Sequence, residues 1–479
     1  MSSYTISNTK LNPNRVFLLQ KNELEKRLDP FYYVPELVEL EKKVLSKQPK
    51  KLRDYVKGIA SGATPKTAEV EKYYSDEANG KPFLRVQNLS PTGILEFEDC
   101  KYINEETHNG MLKRSQVSSG DLLVKITGVG RMAIASVAPE NFEGNINQHV
   151  CVIKTGSKEV SETLAAYLNS DIAEKLASRR STGGTRPALD YPALLSIPII
   201  EDKRILEITK KVIEQKKQNE AEAEKLLSSI DGYLLSELGI NLPEPPENTL
   251  GNRIFTVSLK DISGDRYDPN YHQIYYQELL SSIENSKFKN SKLGTNLSEI
   301  TYGASFNNQY VSDGVPLLRI KDLKRNKINV NKVVYLPEEA RSKLGNCFVN
   351  TNDFLITRSG TIGIVAIVPK DINGFAFGSF MIKFRLSKTE NLNREYLSYY
   401  LNSALLIKII ERNKIGAIQG NITIPTIKSL PIVKPPLDKQ KEIANHITEI
   451  REQAQKMKGK TTEALKKASK EIENILIGD

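Results

Sequence analysis

Asp29-Pro30-Phe31-Tyr32 comes closest to a catalytic motif in this chain. Base-flipping methyltransferases use an Asn/Asp-Pro-Pro-aromatic loop to grip the extruded base, beside a glycine loop that binds the cofactor. No such glycine loop lies upstream, and a second copy reads Asp268-Pro269-Asn270-Tyr271. A structural turn present twice is the better reading. Glu96-Phe97-Glu98-Asp99-Cys100-Lys101 resembles a nuclease carboxylate cluster on paper, but reads better as the solvated end of a strand. His108, His149, His272 and His446 are isolated, with no spacing that suits a metal. No GxxxxGK[ST] phosphate loop occurs, so any nucleotide-driven work needs another protein. Gly183-Gly184-Thr185 is a weak phosphate cradle, and its equivalent Gly416-Ala417-Ile418 lacks the second glycine. No catalytic, cofactor or metal site is expected.

The bulk properties point elsewhere. The chain has 479 residues, 39% hydrophobic and 26% charged, which suits several folded domains rather than a disordered one. A net charge of +10 and a pI near 9.1 suit a polyanion, nucleic acid first and an anionic membrane surface second. A merely soluble basic protein would show the same charge. Cys100, Cys151 and Cys347 are too few and too scattered for a disulfide framework or a CxxC clip. They are expected to be buried free thiols in a reducing cytoplasm. Met1 to Leu11 is polar, unlike a signal peptide, and no run reaches the roughly 18 apolar residues of a spanning helix.

The chain also repeats itself. Asn14-Arg15-Val16-Phe17 returns as Asn252-Arg253-Ile254-Phe255, a period of 252 − 14 = 238 residues. Arg27-Leu28-Asp29-Pro30 returns as Arg266-Tyr267-Asp268-Pro269. Pro82-Phe83-Leu84-Arg85-Val86-Gln87-Asn88-Leu89 matches Pro316-Leu317-Leu318-Arg319-Ile320-Lys321-Asp322-Leu323. Gly120-Asp121-Leu122-Leu123 matches Asn352-Asp353-Phe354-Leu355, and Tyr167-Leu168-Asn169-Ser170 matches Tyr400-Leu401-Asn402-Ser403. Ser196-Ile197-Pro198 matches Ser429-Leu430-Pro431. Matches kept in one order through both halves mean a duplication.

The elements that must position any site follow from patterning. Short β-branched runs broken by Gly, Asn, Asp and Pro predict strands at 122–126, 133–138, 151–154, 354–357 and 362–368. Helices are expected at 161–179 and 394–411. Each half then closes on a long amphipathic segment. After Leu437 the seam falls at Ile443, Ile447, Ile450, Ala454, Met457, Thr461, Ala464, Ala468 and Ile472, with coiled-coil spacing. The first half offers Ile205, Ile208, Val212, a polar centre at Gln215 and Asn219, then Ala223, Leu226, Ile230 and Leu234. A buried polar centre fixes register at some cost in stability. Two such helices, each about 50 Å long at 1.5 Å per residue, would most simply pack on each other. Residues 241–251, with Leu242-Pro243-Glu244-Pro245-Pro246-Glu247-Asn248, form a stiff linker between the halves.

These residues carry a family resemblance. The Phe-Leu-Arg-Val-Gln-Asn-Leu segment, the Gly-Asp-Leu-Leu turn and strand, the Ser-Ile-Pro-Ile strand and the closing helix resemble specificity subunits of type I restriction–modification enzymes. So do Thr357-Arg358-Ser359-Gly360-Thr361-Ile362-Gly363, Leu430-Pro431-Ile432-Val433-Lys434-Pro435-Pro436 and Asp231-Gly232-Tyr233-Leu234 onward. The resemblance spans essentially everything after residue 13. The first copy departs from it at Lys125-Ile126-Thr127-Gly128-Val129-Gly130 and at Asp202-Lys203-Arg204.

What the resemblance implies is an α+β chain of two tandem mixed α/β target-recognition domains, 14–200 and 252–436. Each is followed by a long helix, 201–240 and 437–477, the two pairing as an antiparallel coiled coil. It implies a non-catalytic subunit that directs the complex to a bipartite, asymmetric target in double-stranded DNA. Two methyltransferase subunits and restriction/translocase subunits are the implied partners, and S-adenosylmethionine, ATP and magnesium belong to them. An unrecognised nuclease or methyltransferase site, or a stand-alone DNA-binding scaffold or repressor, are the competing readings. Two evenly matched halves speak against the first, and apolar helix edges that want partner helices against the second.

Two copies allow a comparison in place of an alignment. Phosphates are alike everywhere, so residues that grip them should match, whereas base-reading residues should differ. The most informative differing loop is Arg179-Arg180-Ser181-Thr182-Gly183-Gly184-Thr185-Arg186 against Arg412-Asn413-Lys414-Ile415-Gly416-Ala417-Ile418-Gln419-Gly420-Asn421. Arg pairs bidentately with guanine and Gln with adenine, so Arg186 against Gln419 would change specificity. Packing beside the long helix is the alternative for this loop. Lys125, Arg131, Arg358 and Ser359 are further DNA-facing candidates; Lys66 and Arg325 suit phosphate or solvent. Arg85 and Arg319 suit internal ion pairs, and Arg27 with Asp29 and Arg266 with Asp268 read as structural.

Overall fold

The computed structural model describes residues 11–25, 27–66, 68–247, 249–262, 266–305, 310–388, 391–415 and 420–478. The chain divides into two compact units, Met1–Glu220 with Lys458–Asp479, and Ala221–Met457. The division falls inside both long helices, Lys203–Leu238 and Leu437–Ile477. Each unit therefore holds one globular part, the start of the helix that follows it, and the end of the other helix.

Both globular parts are built on the same antiparallel sheet. In the first unit its strand order is Gly58–Ser61, Val150–Lys154, Leu122–Lys125, Ala135–Val137. In the second it is Leu297–Tyr302, Met381–Leu386, Phe354–Thr357, Val365–Ile367. Central strands are apolar along their length because helices cover one face and a second small sheet the other. That second sheet shares a parallel pair in both units, Lys81–Leu84 with Glu143–Ile146 and Val315–Leu318 with Ala376–Phe377. It has five strands in the first unit and three in the second.

The repeated motifs are the points where this plan is fixed. Asp121 caps the turn before its strand by accepting from Ser118 N at 2.6 Å, and Asp353 accepts from Asn350 N at 2.8 Å. The residue before each has positive φ, +81° at Gly120 and +70° at Asn352. Only Gly and, at modest cost, Asn suit that conformation, which explains the substitution between copies. The Arg85 and Arg319 amides donate to Asn88 Oδ1 at 2.9 Å and Asp322 Oδ2 at 2.8 Å, closing a tight turn. The Arg319 side chain also pairs with Asp322 at 3.2 Å, whereas Arg85 donates to the Asp99 carbonyl instead of an acid.

The helices expected at 161–179 and 394–411 are each broken in two. They run Lys158–Leu168 and Asp171–Arg180, and Arg394–Leu401 and Ala404–Arg412. The break lies at the repeated Asn-Ser pair. Ser170 and Ser403 cap the second segment through Ala173 N at 3.1 Å and Leu406 N at 3.4 Å. The Asn169 side chain accepts from Ala135 N at 3.0 Å and donates to its carbonyl at 2.7 Å. Asn402 does the same to Val365 at 3.0 and 2.8 Å. An amide that mimics a β-ladder partner ties the helix break to the outer strand in both copies.

The two long helices pair antiparallel within each unit. In the first unit Ile205 shares a core with Ile472 and Leu476, and Asn219 Nδ2 donates to Thr461 Oγ1 at 3.1 Å. In the second unit Leu234, Leu235 and Leu238 pack with Ile443, Ala444 and Ile447, and Lys439 pairs with Glu237 at 2.6 Å. Most of the expected seam is buried, but Gln215 is exposed and donates to Asn219 at 2.9 Å from outside it. Asn219 and Thr461, 5% and 7% exposed, are thus the buried polar pair of the seam. Replacing Asn219 with Ala should lower stability by about 1–2 kcal/mol. Replacing Asn219 and Thr461 together with Leu should raise the thermal midpoint above wild type, read by circular dichroism.

Candidate nucleic-acid interface

At one end of the four-stranded sheet each unit brings together the two ends of a short segment. In the first, Thr182 and Ala188 exchange two hydrogen bonds of 2.8 Å, and Leu189 N donates to Ile126 O at 2.8 Å. Gly128 N donates to Pro187 O at 3.0 Å, so the loop lies against the turn after Leu122–Lys125. In the second, Ile415 and Asn421 exchange two bonds of 2.9 Å, and Ile422 N donates to Arg358 O at 2.9 Å. Both loops are the same length, since 188 − 182 = 421 − 415 = 6. Counting from the paired ends puts Gln419 at the place of Arg186. Gln419 itself lies outside the described residues.

The root of each loop is held by the repeated Arg-x-Asp-Pro segment. Arg27 pairs with Asp29 at 2.8 Å and donates to the carbonyls of Arg180 and Ser181, each at 2.8 Å. Arg266 pairs with Asp268 at 2.7 Å and donates to the Lys414 carbonyl at 2.9 Å. The Arg27 guanidinium holds the Asp29 carboxyl below its ordinary pKa. Arg179 and Arg412 lie 4.0 and 3.8 Å from the ring centroids of Tyr32 and Tyr271, and donate to those residues' carbonyls at 2.7 and 2.9 Å. These segments are structural, as their matching implied.

Five residues proposed to face DNA are instead engaged inside the fold. Lys125, 2% exposed, donates to the carbonyls of Val129 at 2.8 Å and Arg131 at 2.9 Å, stapling the turn. Burial pulls its pKa down. Arg131 pairs with Asp171 at 2.6 Å and with the Asn169 carbonyl. Arg179 and Arg180, 6% and 9% exposed, share the carboxylate of buried Glu41. Ser359 is also buried, in the bridge to Asn421. Sequence gave no warning of this, because Glu41 lies 138 residues from Arg179 (179 − 41) on the helix Pro35–Ser46.

The remaining candidates stay at the surface. Thr185 and Arg186 are exposed at the loop tip, and Arg186 has no polar partner among the described residues. Lys414 is exposed at the root of the second loop, and Asn421 closes it half-buried. Arg358 is half-buried, its guanidinium carbon 4.7 Å from the Tyr302 ring centroid. Lys66 is exposed beside Glu69 at 3.6 Å. Arg325 is exposed on the hairpin Leu323–Lys324 and Lys327–Ile328, where its charge acts on Asp231.

A further repeat was missed in the sequence, Ser61-Gly62-Ala63-Thr64 against Tyr302-Gly303-Ala304-Ser305. It follows the first strand of each sheet and enters the same edge. A Cβ on Gly62 would sit 1.6 Å from Ile146 O, and on Gly303 2.2 Å from Gly378 O. Only glycine permits the backbone to pass there, and the shared Gly-Ala pair was the signal.

The other motifs are structural. Phe97 of the acidic run tilts against Phe142 at 5.9 Å, and Asp99 offers its carbonyl to Arg85. His108 contacts Asn145 at 2.5 Å and Glu143 at 3.0 Å, and His272 the Arg266 carbonyl at 2.5 Å. The cysteines are free; Cys151 is buried, which pushes its thiol up to about 12, while Cys100 and Cys347 are half-buried. Among the described residues no group of His, Cys, Asp or Glu is arranged to hold a metal, and no helix is long and apolar enough to cross a membrane.

Residues 285–467 match the type I restriction modification DNA specificity domain. Over 437 residues the chain is 20% identical to the type I restriction enzyme EcoBI specificity subunit of Escherichia coli, covering 88% of this chain and 83% of that one. The chain is thus similar to type I restriction–modification specificity subunits over most of its length, and the domain match falls in its second half. It is also 26% identical over 210 residues to the MjaVIII specificity subunit of Methanocaldococcus jannaschii. That match covers 41% of this chain and about half, 49%, of the relative. The crystal structure of the HsdS subunit from Thermoanaerobacter tengcongensis is similar at 16% identity and a TM-score of 0.34, covering 90% of this chain and 96% of that one.

The two units differ around Glu41. Chain counting from Asp29 and Asp268 places Leu280 where the first unit has Glu41, and Asn413 stands where it has Arg180. The second unit thus lacks both the buried acid and one of its arginines. Glu41→Ala should cost about 3–5 kcal/mol by leaving two buried guanidinium groups unpaired. Glu41→Leu with Arg180→Asn, copying the second unit, should recover much of that loss in urea unfolding. Arg186→Ala, at the surface, should change stability by less than about 0.5 kcal/mol.

Proposed function

We propose that each unit reads one half of a split, asymmetric DNA sequence through its loop-bearing sheet edge. The chain thereby directs a type I restriction–modification complex to its target. It scaffolds two methyltransferase subunits, and restriction/translocase subunits join that core. S-adenosylmethionine, ATP and magnesium act on those partners, in a reducing cytoplasm.

One observation carries this reading. The same edge occurs twice, with its supporting residues retained and the sequence of its loop changed. Arg27 and Arg266, Gly128 and Gly360, and the paired loop ends recur, while Arg186 stands where the second copy has Gln419. Supports that recur with tips that differ are what two readers of unlike half-sites need. A net charge of +10 suits a polyanion, and binding should weaken steeply with salt.

Arg186→Ala, expressed with the cognate methyltransferase, should relax one base pair of one half-site, and mapped methylation sites should show it. A bidentate Arg–guanine contact is worth about 1–3 kcal/mol, or roughly 5- to 150-fold in preference. An unchanged methylated sequence at normal activity contradicts a reading role for Arg186.

A further inference from the structure

The edge that carries the hairpin loop is formed in each unit by three strand ends, and their register is fixed by hydrogen bonding. In the first unit Cys151 pairs with Ser61 and Val150 with Lys125, and Ile126 N donates to His149 O at 3.0 Å. In the second Ile382 pairs with Tyr302 and Met381 with Thr357, and Arg358 N donates to Phe380 O at 2.9 Å. Ser61, Ile126 and His149 are therefore the structural equivalents of Tyr302, Arg358 and Phe380. All three differ, although the neighbouring Gly62 and Gly303, Ala63 and Ala304, and Gly128 and Gly360 do not.

The second unit's three residues form a small, held constellation. The Tyr302 hydroxyl accepts from Ile424 N at 3.1 Å, which pins the ring. The Arg358 guanidinium carbon lies 4.7 Å from that ring's centroid, and its Nη1 reaches the Ser379 carbonyl only at 3.5 Å. Its Nε is buried without a partner. Phe380 stands beside it, 52% exposed, an unusual exposure for a Phe on a sheet end. An arginine fixed by an aromatic face but left with free donors is organised for an external acceptor. A phosphate grip would recur in both units, but the first has Ile126 there.

We infer that Tyr302, Arg358 and Phe380 form a specificity element for the half-site of the second unit. Arg358 donates to a guanine edge, Tyr302 positions it, and Phe380 covers the contact from water. This rests on the DNA-reading role proposed above. The test is methylation mapping with the full chain and its cognate methyltransferase, with Arg358→Ala, Arg358→Lys, Tyr302→Leu and Tyr302→Phe. Arg358→Ala and Tyr302→Leu should lose about ten-fold or more of the preference for one base pair in one half-site, leaving the other half-site as an internal control of folding. Tyr302→Phe keeps the ring under Arg358 but loses the hydroxyl that pins it, so it should retain more of the preference than Tyr302→Leu.

Arg358→Lys keeps the charge without the fork, so it should relax the same base pair; wild-type preference in that variant overturns the inference. So does an unaltered motif in Arg358→Ala, or a uniform loss over all sequences, which marks a phosphate contact. A wild-type chain that directs methylation to no defined sequence overturns the DNA-reading role itself.

Discussion

Each long helix of this chain is charged apart from an apolar stripe, and that stripe is covered by the other helix and by the globular part of the same unit. A helix of this composition gains little from its own hydrogen bonds and is stabilised by packing. The consequence is covalently unusual. The core of the first unit is completed by Ile472 and Leu476, from the last turns of the chain. The core of the second includes Leu234 and Leu238, which precede its own globular part. Neither unit is a continuous stretch of sequence, so each depends on residues that follow or precede the other's domain.

On that frame the duplication divides labour between residues that hold the edge and residues that present it. Asn169 and Asn402 tie helix to sheet, and Arg27 and Arg266 tie the N-terminal segment to the loop root. These contacts are identical in kind because the fold requires them twice. Among the described residues no polar partner holds Arg186, and Phe380 is 52% exposed, so these positions can differ. Specificity can therefore change without disturbing the core, whose packing tolerates change poorly. The second unit's replacement of Glu41 and Arg180 by Leu280 and Asn413 shows the complementary case. The acid and Arg180 go together, while the counterpart of Arg179, Arg412, is kept on the ring and carbonyl of Tyr271.

The duplication, the two long helices and the loop of interest were legible in the sequence because they rest on local spacing and on self-comparison. The helix break at Asn169-Ser170 was not, since the apolar period runs across it and the asparagine's role needs a strand 34 residues away (169 − 135). The basic candidates fared unevenly for the same reason. Lys125, Arg179 and Arg180 look like surface charge in the sequence, and only the distant carbonyls and carboxylate that receive them reveal otherwise. Arg186 was legible because it lies in a basic, Gly-rich loop that differs between the two copies. The Gly62-Ala63 and Gly303-Ala304 repeat was present to be read, but its meaning lay in a backbone approach that spacing cannot show.

The most direct test of the account is selection of duplexes from a randomised library by the full chain in its assembled complex. Two short defined blocks separated by a gap of fixed length and free sequence are expected. One continuous block, two copies of the same block, or no enrichment over the input library would contradict it.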